Sequence, residues 1–112
     1  MATEDLGKTS TGMQANVAAL LSYVLGWVSG LIIYLIEKEN KFVRFHAMQS
    51  MVVFGALTVL GIVLTFIPVI GWSLLPIIYH IEFVLWVVLM IKSYQGEKFK
   101  LPIAGDIAEK NA

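Results

Sequence analysis

The chain of 112 residues has no cysteine, three prolines and sixteen charged side chains, only 14% of its length. Without cysteine there are no disulfides, no thiolate catalysis and no zinc–thiolate site. Lysine plus arginine, 8, equals aspartate plus glutamate, 8, so the basic excess behind nucleic-acid binding is missing. A glycine-rich phosphate loop, a Gly-x-Ser-x-Gly elbow and paired carboxylates within an apolar run are also missing. Neither an enzyme nor a cofactor is therefore expected. The two histidines, His46 and His80, stand 34 positions apart with no second carboxylate nearby, which gives no metal-ligand set.

What fills the chain is apolar. Hydrophobic residues make up 58%, and mean hydropathy is +0.79. A soluble domain this small must cover most of its surface with polar side chains, and sixteen charges do not suffice. Residues 15–36 run for 22 positions without a charge or histidine, and residues 47–79 for 33. Runs of about 18 or more point to membrane helices. The second run is too long for one crossing and is interrupted by Pro68, Gly71 and Pro76, which mark a turn.

The expected fold is all-α: an integral membrane bundle of three transmembrane helices in a single domain, 1–112. The spans fall at about 15–36, 46–67 and 73–92, with tails at 1–14 and 93–112. Ser73 is a plausible N-cap for the third, placing Pro76 in its first turn. The first run is not a signal peptide, because Glu4 and Asp5 precede it and no small-residue cleavage pattern follows. Three spans put seven basic residues on one side and only Lys8 on the other. The positive-inside rule then places the N-terminus outside and the C-terminus in the cytoplasm of a cell-membrane protein. Residues 1–10 are expected to fray, and Pro102 and Gly105 favour a flexible C-terminal tail.

Ala18, Ser22, Gly26 and Gly30 recur every four residues, a small-residue face suited to close helix packing within the chain or against a second copy. Glu82 is the only charge in the interior of a span, Lys92 marking the end of the third. A central carboxylate costs about 2.5–3.5 kcal/mol on the insertion scale, and the twelve Leu, Ile, Phe and Val residues of 73–92 return on the order of 5 kcal/mol, so the helix still inserts. Such a group needs a hydrogen-bond partner or a proton. Tyr23 and Thr58 match its depth, and His80 is a second titrating group nearby. Arg44, His46 and Gln49, at the entry to span two, are expected at the lipid interface.

The segment Phe42-Val43-Arg44-Phe45-His46-Ala47-Met48-Gln49-Ser50, taken with Phe99-Lys100-Leu101-Pro102-Ile103-Ala104-Gly105-Asp106, resembles a family of short uncharacterised archaeal and bacterial multi-pass membrane proteins. That family is distantly similar to the chloroplast inner-envelope protein-import component. The resemblance runs from about residue 12 to 110. It implies a helical multi-pass protein without an assigned activity and carries over no site residues. The expected partners are the lipid bilayer and a homo-oligomer or other membrane proteins, with no nucleic acid. Association is the expected mode of action, and an oligomeric proton- or cation-coupled transporter subunit built around Glu82 is the alternative.

Overall fold

A computed structural model describes residues 7–112, which are helical throughout their regular structure. The elements are α1 (Ala15–Val24), α2 (Trp27–Ile36), α3 (Lys41–Thr65), α4 (Ile70–Tyr94) and α5 (Ala104–Lys110).

The first apolar run is not one helix. Gly26 takes φ +66° and ψ −136°, a conformation that an L side chain resists, and the chain reverses there. Ser29 Oγ lies 3.0 Å from Ser22 O. In a straight helix, seven residues of rise would separate those levels by about 10 Å. Ala15 and Ala18 share one core cluster with Ile33, Val43 and Ala47. Two ten-residue helices thus form a hairpin against the first half of α3. Each is about 15 Å long, half of a bilayer core of about 30 Å.

Backbone broken inside an apolar bundle must find other partners. Leu25 N donates to Ser29 Oγ at 3.0 Å, Ser50 Oγ to Gly26 O at 2.8 Å, and Trp86 Nε1 to Tyr23 O at 2.7 Å. The small-residue face makes the close approach possible. A Cβ on Gly30 would lie 2.8 Å from Ala47 O and 3.0 Å from Ser50 Cβ. The face is therefore spent inside this chain: Ala18, Ser22 and Gly30 are buried between the hairpin and α3.

The two long helices are long and apolar enough to cross a membrane. α3 begins five residues before the expected span, because Asn40 caps it by accepting from Val43 N at 3.0 Å. α4 begins at Ile70 rather than Ser73. The turn at 66–69 is tight enough that Gly71 sits against Leu64 O, where no Cβ fits. Ser73 is inside the helix and returns its hydroxyl to Val69 O at 2.6 Å, and Pro76 lies beyond the first turn.

The described N-terminal residues are anchored, not frayed; residues 1–6 of that expectation lie outside the described part. Asn40 Nδ2 donates to Lys8 O at 3.0 Å, and Ser10 binds Glu37. Asn16 Nδ2 reaches Tyr94 O at 3.0 Å. Residues 8–16, the loop 37–40 and the C-terminal segment therefore share one end of the bundle. All eight lysines and arginines, Lys8, Lys38, Lys41, Arg44, Lys92, Lys98, Lys100 and Lys110, belong to it, and the turn at 66–69 has none. The expected tail is also structured: α5 packs on α3, and Ala108 is fully buried.

Candidate functional site

Glu82 is the middle residue of α4 and Phe54 stands beside the middle of α3, and Gly26 at the hairpin tip faces Phe54. The tip thus reaches mid-length of both long helices. There a cleft of about 390 Å³ opens, lined by Leu25, Gly26, Phe54, Tyr79, Glu82 and Trp86, among others. A second, of about 290 Å³, runs on from it past Thr58, Gly61 and Thr65 and shares Tyr79 and Glu82. The Glu82 carboxyl is half-buried, and among the described residues it makes no hydrogen bond or ion pair.

The partners expected for Glu82 are engaged elsewhere. Thr58 lines the second cleft but donates its hydroxyl to Phe54 O at 2.7 Å. Tyr23 is withdrawn because the hairpin turns back, which sets its side chain at the level of His46 and Gln49. His80 is exposed and holds Pro76 O at 2.6 Å through Nδ1.

His46 and Gln49 are not interfacial. Both are fully buried at the centre of a polar clasp. His46 Nε2 lies 2.9 Å from Glu97 O, an acceptor, so Nε2 carries the proton. Nδ1 then accepts from Tyr23 OH at 2.6 Å. Gln49 Nε2 donates to Tyr23 Oη at 3.1 Å and to Phe99 O at 2.9 Å, while Gln49 Oε1 accepts from Leu101 N at 2.9 Å. The clasp ties the C-terminal segment to the hairpin and α3. Arg44, half-buried, stacks 4.0 Å from the Tyr34 ring centre and donates to Glu37 O at 2.7 Å.

Sequence reasoning missed Glu37, because a charge in a short polar loop is solvated by default. Its side chain is wholly covered. Ser10 N approaches both carboxylate oxygens at 3.0 and 2.8 Å, and Ser10 Oγ, Glu39 N and Asn40 N also donate. Burial pushes the Glu37 pKa up, but these donors outweigh it and hold the carboxyl below its ordinary value. A depressed carboxyl stabilises the fold above its unfolded pKa and loses that contribution as pH falls through the folded one. The protection factor of the Ser10 amide is therefore expected to collapse in acid, below the usual carboxylate range. Glu37→Gln should lower it already at neutral pH and remove the acid step; an unchanged acid step in that variant would contradict the assignment.

Among the described residues, no group of three or more His, Asp or Glu side chains could hold a metal ion.

The comparisons agree on the class of protein. The model of the magnetosome magnetite crystal formation protein family matches residues 8–108. A UPF0132 membrane protein of Methanocaldococcus jannaschii is 51% identical over 105 residues, 94% of each chain. One of Archaeoglobus fulgidus is 51% identical over 98 residues, 88% of this chain and 95% of its own. A second from Methanocaldococcus jannaschii is 46% identical over 99 residues, 88% of this chain and 71% of its own. These relatives are archaeal, and none carries the name of a protein-import component. No solved structure matches.

Proposed function

Since the chain belongs to the magnetosome magnetite crystal formation protein family, with relatives named as membrane proteins, we propose that it is a multi-pass cell-membrane protein that acts by associating with itself or with a larger membrane complex. In this reading α3 and α4 cross the bilayer, and the α1–α2 hairpin enters and leaves by one face. The positive-inside rule puts the end with all eight basic residues in the cytoplasm, together with both tails. No enzyme activity is proposed. The family description speaks of magnetite, but the described residues offer no acidic or histidine cluster for iron.

One observation carries the association: a carboxyl at mid-membrane depth that has no partner among the described residues, in a cleft open to the surroundings. A polar group among lipid tails gains by meeting another polar group on a neighbouring helix. The small-residue face no longer argues for association, being buried within the chain. Sedimentation in mild detergent tests the idea. The wild-type protein should exceed its 12.4 kDa monomer mass, Glu82→Gln should stay assembled, and Glu82→Leu should shift measurably toward the monomer. A wild-type protein that is monomeric and co-purifies with nothing from native membranes would overturn it. The same carboxyl supports a second reading, a proton- or cation-coupled subunit; there Glu82→Gln abolishes proton flux in proteoliposomes.

A further inference from the structure

Glu82 lies on the inward stripe of α4 with Ile78, Leu85 and Leu89. Two residues is about 200° of helix turn, so His80 sits on the opposite side, with the exposed Ile77, Val84 and Ile91. The His80 Nδ1–H is committed to Pro76 O, an acceptor. In the neutral ring that leaves Nε2 as an acceptor, with no partner among the described residues. Each chain therefore presents, on one side of α4, a carboxyl in a cleft and, on the other, an imidazole acceptor, neither with a partner among the described residues. Their depths differ by about 3 Å, two residues of rise, which side chains easily span.

We propose that the occupant of the Glu82 cleft is a second copy of this chain, whose His80 face seats there so that the Glu82 carboxyl donates to His80 Nε2. The proposal rests on the association reading and names its partner. Donor and acceptor are complementary, and one proton serves both groups. Because they lie on opposite sides of α4, the contact is head-to-tail: every copy gives one imidazole and receives one. Copies related by an axis along the bilayer normal keep the two groups within that offset of about 3 Å, and such a contact closes into a ring when the rotation is a whole fraction of a turn. The cleft of about 390 Å³ lies beside Phe83 and Trp86, apolar walls suited to the Ile77 and Val84 side chains that flank the imidazole.

The absence of native cysteine makes the test direct. Val84→Cys marks the His80 side and Phe83→Cys the rim of the cleft. In vesicles holding both variants, a short thiol crosslinker should join the two to each other in preference to either with itself. Adding Glu82→Leu or His80→Leu should weaken association about threefold to thirtyfold, the range that interhelical membrane hydrogen bonds give. The exchange His80→Glu with Glu82→His should restore it. If the protein is oligomeric but Val84→Cys couples only to itself, the head-to-tail contact is wrong and the association reading stands. If the protein is monomeric in vesicles, the second copy is wrong as the occupant, and the association reading falls with it when the protein also co-purifies with nothing from native membranes.

Discussion

Gln49→Leu is expected to release the whole C-terminal segment. The Gln49 amide makes three bonds, to Tyr23 Oη, Phe99 O and Leu101 N. Leucine fits the space but leaves three polar groups facing an apolar side chain. A buried group stripped of its partner costs about 1–3 kcal/mol, so the segment lowers its free energy by undocking and rehydrating. An expected loss of about 2–4 kcal/mol corresponds to a thirtyfold to several-hundredfold rise in the undocked population. Limited proteolysis at Lys98 and Lys100 reads it directly. His46→Leu should act in the same direction with two bonds lost, to Tyr23 and Glu97. Cleavage at the wild-type rate in both variants would mean that the clasp does not hold the segment.

Gly30→Leu should unseat the hairpin. The site has no room for even a methyl group, since the colliding atoms are the backbone oxygen of Ala47 and the Cβ of Ser50, neither of which is the far end of a flexible chain. Forcing extra volume into a packed contact costs about 1–3 kcal/mol, and here it also pulls Ser50 Oγ from Gly26 O. Thermal unfolding in detergent should fall clearly. Gly61→Ala is the control: a Cβ there meets nothing within 4 Å, so its unfolding should stay near wild type. Equal behaviour of the two variants would show that α2 does not pack on α3 through Gly30.

The long helices were legible because composition and the Pro68–Gly71 break leave few alternatives for residues 41–94. The hairpin was not, because 22 apolar residues make one full span or two half-spans equally well. The four-residue spacing of Ala18, Ser22, Gly26 and Gly30 marks one face only on a continuous helix, and the helix breaks at Gly26. Ala18, Ser22 and Gly30 are buried within the chain, while Gly26 serves as the reversal. One signal was available. Lys8 stood alone against seven basic residues across the membrane, and folding the first run back removes that exception. The clasp was half visible. His46, Gln49 and Ser50 share a helix face, and the 42–50 and 99–106 segments were distinctive mainly as a pair. Only the fold shows why: one binds the other. Glu82 was found by depth alone. That it has no partner among the described residues depends on where Tyr23 points, which the hairpin decides.

The central claim is that residues 15–36 enter and leave by the same face. Single-cysteine variants of this cysteine-free chain test it with a membrane-impermeant maleimide applied to sealed cells and to inverted vesicles. Lys8→Cys, Lys38→Cys and Lys110→Cys should all label from the cytoplasmic face, and Pro68→Cys only from the outside. Labelling of Lys8→Cys from the same side as Pro68→Cys would restore three full spans and contradict the account.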